Sequence, residues 1–213
     1  MTEAQHVGTL IHELAERHPQ GGAEAILADF DALWSEHFAV ETWPERVAYE
    51  NARQMAERLA AYLDKRSHID VRTEHPFRAE LGRAVLSGIA DRIELHDGGA
   101  YVVDLKTGRS VPTQAEALEN AQLAMYQLAI ASGAVDGVDT SLGAELAFVS
   151  SGKEGTSRRQ DPIDPQTARA RLDHVVGLMG GSVFPAVVDR HCDTCPVRRA
   201  CPAHAEGAQV SDS

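Results

Sequence analysis

The stretch Arg83–Arg109, RAVLSGIADRIELHDGGAYVVDLKTGR, has the pattern of two β-strands joined by a tight turn. An Asp-Gly pair between alternating residues is a strong hairpin signal, because both central residues of such a turn tolerate a positive φ. With Asp97 and Gly98 as the two loop residues, Asp91 on the first strand is directly opposite Asp104 on the second. Directly opposed residues share a face, with Cβ atoms roughly 4.5–5.5 Å apart. The sequence therefore predicts a hairpin that brings two carboxylates together.

Lys106 lies two residues after Asp104 and so points the same way, whereas Val103 and Leu105 point to the other face. Two carboxylates this close repel each other unless a positive group lies between them. Mg²⁺ takes oxygen ligands and is usually held by one or two carboxylates with water and substrate phosphate. Such an ion polarises a phosphoryl oxygen, and the lysine would orient water or offset charge in the transition state. The pattern favours a phosphodiester hydrolysis site; the alternative is a solvated hairpin with a surface ion pair.

The composition bounds the class of protein. With 213 residues, 43% hydrophobic and 24% charged, the chain is typical of one globular domain or one domain with an appendage. It has neither a long apolar run nor a signal-peptide pattern, so we expect a cytoplasmic protein without membrane contact. A net charge of −12 argues against binding nucleic acid over the whole surface, so any such contact must be local. Basic residues gather in two groups: Arg78, Arg83, Arg92, Lys106 and Arg109, and then Lys153, Arg158 and Arg159.

Hydrophobic periodicity predicts the remaining elements. The expected order is helices over about 5–18, 23–38 and 44–65, a strand near 70–79, the hairpin, a helix over 113–132, a strand over 143–150 and a helix over 165–180. Thr42 or Trp43 would cap the third helix, and Asp164 or Thr167 the last; Trp34 and Trp43 are expected in the core. This order indicates an α/β fold with a mixed central sheet flanked by helices and preceded by a helical region.

Four segments follow from this reading. Residues 1–66 are expected to form an N-terminal helical part, 67–185 the core, 186–205 a cysteine-containing segment and 206–213 a disordered tail.

Several polar residues have two readings. His12 lies beside the apolar stripe of the first helix, where a helix-boundary residue is expected more often than a ligand. Glu74 either faces the site or lies at a sheet edge, and the edge is the expectation. Gln122 and Tyr126 are four apart on one helix face, which by itself indicates an ordinary polar strip.

The three cysteines of the chain, Cys192, Cys195 and Cys201, have the spacing of metal ligands. An odd number of cysteines without a secretory signal favours a metal or cluster over a disulfide framework.

The motifs resemble, in this order along the chain, those of the RecB-type branch of the PD-(D/E)XK nuclease superfamily. They are GTLIHEL with His12, LSGIADRIE with Asp91, VVDLKTG with Asp104 and Lys106, and NAQLAMYQLAI with Gln122 and Tyr126. The resemblance runs from about residue 8 to 126 and extends through the cysteines to 202. It implies a restriction-endonuclease-like core and a metal-dependent deoxyribonuclease.

The resemblance also implies roles for individual residues. His12, Asp91, Asp104 and the backbone carbonyl of Leu105 would bind Mg²⁺ or Mn²⁺. The catalytic set would be Asp91, Asp104, Lys106, Gln122 and Tyr126, with Lys106 as the motif lysine and with Gln122 and Tyr126 lining the DNA path.

The C-terminal end is similar to that of AddAB and AdnAB helicase–nucleases, in which three such cysteines join one far upstream to hold a [4Fe–4S] cluster. No cysteine precedes His12 here, so the fourth position falls to His191, His204, a solvent ligand or a cysteine elsewhere. We expect a piece of a longer protein whose cluster is completed upstream; a Cys₃His zinc site is the alternative.

By this resemblance, the expected function is the nuclease module of a helicase–nuclease that resects DNA ends, with DNA and helicase domains or a helicase–nuclease subunit as partners. Two alternatives stay open: a stand-alone exonuclease of the kind used in CRISPR spacer acquisition, and a catalytically silent DNA-end-binding module.

Overall fold

The computed structural model describes residues 2–182 and 186–205. The predicted tail 206–213 and the predicted core boundary at 185 lie outside the described residues. The helices are α1 Glu3–Arg17, α2 Ala23–His37, α3 Trp43–Asp64, α4 Gln114–Leu118, α5 Ala121–Ala131 and α6 Pro165–Met179. The strands are β1 Asp70–Leu81, β2 Ala84–His96, β3 Gly99–Lys106, β4 Ser141–Phe148 and β5 Thr156–Gln160, and two short 3₁₀ helices follow, Arg190–Thr194 and Arg198–Ala200.

The strands form one mixed sheet in the order β1-β2-β3-β4-β5. The β3–β4 pair is parallel and the other three pairs are antiparallel. A parallel pair needs a crossover, and here the chain from β3 to β4 forms α4 and α5. The predicted mixed sheet flanked by helices is confirmed.

The β2–β3 hairpin has the predicted register. His96 pairs with Gly99 across the turn, and the ladder continues to the pair Arg92–Val103. At the next position of this ladder, Asp91 would lie opposite Asp104. The Asp-Gly turn and the strand alternation were therefore sufficient to predict that these two residues approach each other.

The two faces of the sheet carry separate apolar cores. Val103 and Leu105 pack among the buried residues of α1, α2 and α3, while Ile93, Val102 and Leu146 pack among those of α5. As predicted, odd and even residues of β3 point to opposite faces. Asp104 is therefore presented on the α5 face.

Local polar groups explain several helix boundaries. The Thr42 hydroxyl accepts a hydrogen bond from the Glu45 amide, and the Glu45 carboxylate accepts one from the Thr42 amide, so Thr42 is the cap of α3. Asp164 caps α6 by accepting from the Thr167 amide at 2.9 Å.

The predicted helix over 113–132 is wrong as a single element. It divides at Asn120, whose side-chain oxygen accepts from the Leu123 amide at 3.0 Å and begins α5 anew. Asparagine favours such a cap over a helix interior, because its side chain competes for backbone donors.

Two further expectations differ from the structure. Strand β5 was not predicted, because its polar sequence TSRRQ lacks an apolar alternation and pairs only at the sheet edge with β4. Trp34 is buried as predicted, but Trp43 is 70% exposed because it lies in the first turn of α3.

The chain divides into two compact units, one up to Leu172 and the other from Asp173 onward. The finer division into 1–66, 67–185, 186–205 and 206–213 stays a prediction. Among the described residues no helix has the length and apolar character to cross a membrane.

Candidate active site

The strand pair β1–β2 is irregular at one position, the pair Glu74–Asp91, which is missing from an otherwise continuous ladder. Glu74 has a φ of +44°, in the left-handed region that a Cβ disfavours. Ala90 and Ile93 are three residues apart yet both join the core against α5, so the alternation slips by one residue across Asp91. Strain of this kind is held in place by surrounding structure and is frequent at functional sites.

The slip directs the Asp91 side chain toward the neighbouring strand. Its Oδ2 accepts a hydrogen bond from the Leu105 amide at 2.7 Å, beyond the last backbone pair between β2 and β3. Its other oxygen lies 3.6 Å from His12 Nδ1. Asp91 therefore continues the contact between the strands through its side chain and holds one oxygen toward α1.

His12, Glu74 and Asp91 form a group of three potential metal ligands whose ligand atoms all lie within 4.8 Å of one another. The Glu74 carboxylate is 3.8 Å from His12 Nδ1. Ligands about 2.1 Å from an octahedral ion are about 3.0 Å apart when adjacent and about 4.2 Å apart when opposite. The separations of Glu74 and Asp91 from His12 Nδ1, 3.8 and 3.6 Å, lie between these values, which suits ligands of one divalent cation.

Helix α1 reaches this group by passing close to the segment after β3. A Cβ at Gly8 would lie 3.2 Å from the Thr107 side-chain oxygen, so a side chain here would press on the loop. One turn later, His12 is 31% exposed and lines an open groove of about 690 Å³ together with Thr9 and Glu74. His12 and Glu74 are therefore open to solvent from this side.

Asp104 lies nearby and its carboxylate is bound by three side chains. Its Oδ1 accepts from Gln122 Nε2 at 2.8 Å and from the Tyr126 hydroxyl at 3.1 Å. Its Oδ2 is 2.6 Å from Lys106 Nζ, and the side chain is only 3% exposed. Asp104 is thus not in the group formed by His12, Glu74 and Asp91, and its role as a metal ligand stays a prediction.

Gln122 connects the lysine with the acid. Its Oε1 accepts from Lys106 Nζ at 3.2 Å, while its Nε2 donates to Asp104 and to the Tyr126 hydroxyl. Burial and the adjacent Asp104 carboxylate raise the pKa of Tyr126, so the hydroxyl keeps its proton and donates. Phe77 packs edge-on against the Tyr126 ring at 5.8 Å. The pair that the sequence alone indicated as a polar strip is part of a hydrogen-bonded network around Asp104.

Burial raises the pKa of Asp91 from its ordinary value of 3.8 to about 6. His12 and the Leu105 amide oppose this increase, whereas the carboxylates of Asp104 and Glu74 contribute to it. A bound cation removes this penalty by stabilising the ionised carboxylate. The electrostatics of the site are therefore those of a group that favours a positive ion.

We expect the contribution of Asp91 to the stability of the metal-free protein to decrease as pH rises from about 4 to about 6. In this window the folded chain retains the Asp91 proton that the unfolded chain has released, so the free energy of unfolding falls with pH. Urea unfolding in EDTA across this pH range measures whether the free energy of unfolding falls or rises with pH. Asp91→Asn, which keeps an acceptor for the Leu105 amide, should remove much of the decrease; an unchanged slope would contradict the raised pKa.

Glu74 was predicted to face the site or to lie at a sheet edge, with the edge favoured, and the structure shows both. Strand β1 is an edge strand, and the left-handed backbone at Glu74 sets its carboxylate beside His12. A signal was present: Glu74 is the residue opposite Asp91 when β1 is paired to β2. The structure places His12 beside Asp91, and the contact of Asp91 at Leu105 is made by the Leu105 amide. Metal ligation by His12, by Asp91 and by the Leu105 carbonyl stays a prediction.

We expect Glu74→Gln to weaken Mn²⁺ binding by at least about tenfold, because it removes a charged ligand with little change in shape. Glu74→Gly should bind equally poorly yet be more stable by about 1 kcal/mol, since glycine accepts the left-handed backbone. Isothermal titration calorimetry and thermal unfolding measure the two effects. Glu16→Gln, in the same groove but outside the group, is the matched control. Wild-type affinity in Glu74→Gln would exclude Glu74 as a ligand.

The three cysteines lie in the second compact unit: Cys192 in its first 3₁₀ helix, Cys195 directly after that helix and Cys201 directly after the second. All three are free and partly exposed. The Cys195 amide donates to the Cys192 carbonyl at 3.3 Å, and the His204 amide donates to the Cys201 carbonyl at 3.1 Å. In the part of the chain that the structure describes, these side chains do not form a group with all ligand atoms within 4.8 Å. The ligand roles of Cys192, Cys195 and Cys201 stay predictions.

The comparison with protein families gives the class of this protein. A sequence profile of the PD-(D/E)XK nuclease superfamily matches residues 1–202. The chain belongs to this superfamily, whose members are nucleases that typically depend on Mg²⁺ or Mn²⁺.

The other comparisons add little. No curated protein matches the chain. The chain is similar to a solved structure titled "Crystal structure of SSO0001", with 19% sequence identity, 86% of this chain and 98% of that chain covered, and a TM-score of 0.39. A score this low does not assign roles to individual residues.

Proposed function

We propose that this protein is a deoxyribonuclease that uses Mg²⁺ or Mn²⁺ to hydrolyse phosphodiester bonds. The observation that carries the proposal is the convergence of His12, Glu74 and Asp91 beside the Asp104–Lys106 ion pair, at the wall of an open groove. One imidazole and two carboxylates suit Mn²⁺ at least as well as Mg²⁺, since Mg²⁺ prefers an all-oxygen set.

His12, Glu74 and Asp91 would hold the ion, with Asp104 next to them. When bound, the ion supplies Lewis-acid polarisation of the phosphoryl oxygen and acidifies a water. The Lys106 side chain is 34% exposed, and Asp104 and Gln122 fix the direction of its ammonium group. A positive group oriented in advance stabilises charge that develops on a phosphoryl group in the transition state.

We further propose DNA as the substrate and a helicase–nuclease as the setting, with helicase domains of the same polypeptide or a partner subunit feeding the strand. Support for this setting comes from the motif resemblance. The net charge of −12 fits a module to which other domains supply much of the DNA affinity.

The cysteine segment, on this proposal, is organised by ligation in the full protein. A [4Fe–4S] cluster completed by a cysteine from another segment and a zinc ion held by three cysteines and a histidine are the two forms. For the second, His204 is favoured over His191, because His204 Nε2 is shielded from solvent without a hydrogen-bond partner among the described residues, whereas the His191 side chain is 75% exposed. Metal analysis of protein purified without oxygen distinguishes iron with sulfide from stoichiometric zinc.

The test of the nuclease proposal is incubation of the chain with end-labelled linear DNA and with circular DNA, in Mg²⁺, Mn²⁺ or EDTA. Cleavage in either metal and none in EDTA is the expected result. Cleavage of linear DNA alone would indicate an exonuclease. Binding of DNA ends without cleavage in either metal would favour the catalytically silent alternative and overturn the proposal.

A further inference from the structure

Arg92 is a buried cation immediately next to Asp91 in sequence. Its side chain is 2% exposed, its Nε donates to Glu94 Oε1 at 2.9 Å, and its Nη1 donates to the Pro19 carbonyl at 2.6 Å. Its other terminal nitrogen is buried without a hydrogen-bond partner within the described part of the chain. Burial of a guanidinium group is costly and seldom improves stability over an apolar side chain. Packing alone therefore does not explain an arginine at this position.

The bond to Pro19 joins β2 to the end of α1. Pro19 is two residues past Arg17, the last residue of α1, so its carbonyl lies at the negative end of the helix, where a cation is favoured. His12 lies in the same helix, two turns earlier. Consecutive residues of β2 thus contact α1 at two places, Asp91 at His12 and Arg92 at the helix end.

Other bonds hold the same turn, but they lead elsewhere. The Gly22 amide donates to Asp64 of α3 at 2.7 Å, and the Gln20 side chain donates to the Ile69 carbonyl ahead of β1 at 3.1 Å. Glu94 balances the Arg92 charge and is shared with Arg66. Among these contacts, the Arg92–Pro19 bond is the one that ties the turn directly to the strand that carries Asp91.

We propose that Arg92 is a positioning residue that sets the distance between His12 and Asp91, and hence the geometry of the metal ligands. The proposal rests on the metal site proposed above. By holding the end of α1 on β2, Arg92 limits the sliding of the helix along the sheet, which would otherwise separate the imidazole from the carboxylates. A side chain as short as that of glutamine does not reach the Pro19 carbonyl from this position.

The test measures Mn²⁺ binding to the full chain by the electron paramagnetic resonance signal of free Mn²⁺. Arg92→Gln is too short to reach Pro19 and should weaken binding by about fivefold to tenfold, the lower range for losing a group that orients a ligand. Arg92→Lys retains the charge and most of the length, with one nitrogen in place of three, and should recover part of the affinity. In a His12→Ala background, Arg92→Gln should cause no further loss, because the residue through which it acts is gone.

Arg66→Met is the matched control, since Arg66 lies in the same buried network but bonds to Tyr62, Glu94 and Glu145 instead of the α1–α2 turn. It should lower thermal stability while leaving Mn²⁺ affinity within about twofold of wild type. Wild-type Mn²⁺ affinity in a folded Arg92→Gln protein would overturn this inference but not the proposed metal site. So would a loss of affinity from Arg92→Gln that is equal with and without His12. If Arg92→Gln does not fold, Arg92→Lys is the deciding variant. A folded Arg92→Lys protein whose Mn²⁺ affinity is still reduced by about fivefold to tenfold would also overturn the inference. Absence of Mn²⁺ binding by the wild-type chain would overturn the metal site and this inference with it.

Discussion

Asp104→Asn is expected to lower the rate of phosphodiester cleavage by at least about 10³-fold while the protein stays folded. A factor of this size corresponds to about 4 kcal/mol of transition-state stabilisation, the scale of charge stabilisation at a metal-assisted site. The asparagine retains the shape and still accepts from Tyr126, but it no longer offers a charge to Lys106 or to a cation. Cleavage of labelled DNA at saturating Mn²⁺ measures the loss.

Asp97→Asn is the matched control for this variant. Asp97 is an exposed acid of the same hairpin, and Asn-Gly forms the same turn as Asp-Gly. Its activity should equal that of wild type. Full cleavage by Asp104→Asn under conditions where wild type is active would show that Asp104 does not belong to the site. If circular dichroism shows that Asp104→Asn is unfolded, the carboxylate is needed for packing instead.

Lys106→Met is expected to lower the cleavage rate by about 10²–10³-fold, the effect of losing one oriented electrostatic group. Lys106 is paired with Asp104 and Gln122 and is not itself a metal ligand, so Mn²⁺ affinity should change little. Loss of its positive charge even favours a cation slightly. Single-turnover cleavage separates the chemical step from binding, and calorimetry measures the metal.

Gln122→Ala is the variant to compare with Lys106→Met. It removes one contact that directs the ammonium group but leaves its charge, so its effect should be smaller. A large loss of metal affinity in Lys106→Met with an unchanged rate at saturating metal would show that the lysine acts on binding and not on the chemical step.

Residues close together in the chain determined much of this site. The Asp-Gly turn and the alternation of the strands set the pairing of Arg92 with Val103, and with it the approach of Asp91 to Asp104. The same alternation put Asp104 and Lys106 on one face, where they form an ion pair. Turn geometry and side-chain period are local properties, so a single sequence was enough to predict them.

The position of Glu74 depended on the tertiary structure. A period of two residues assumes a regular strand, whereas Glu74 has a positive φ and its pair with Asp91 is missing from the ladder. No residue type at this position signals such strain, because glutamate adopts this backbone only when neighbouring contacts impose it. The edge strand β5 was missed for a related reason, since its polar residues are held by pairing with β4 rather than by burial.

The sequence by itself thus determined the hairpin, the mixed α/β class and the facing acids and lysine, because each of these follows from short-range backbone preferences. Only the tertiary structure decided which acids lie close enough to share a cation. His12 arrives from α1, which is held on β2 by Arg92 far along the chain, and Asp104 is engaged by Lys106, Gln122 and Tyr126 instead of joining His12 and Asp91. Such contacts depend on how the helices pack on the sheet, and helix packing is a long-range property that residue spacing does not encode.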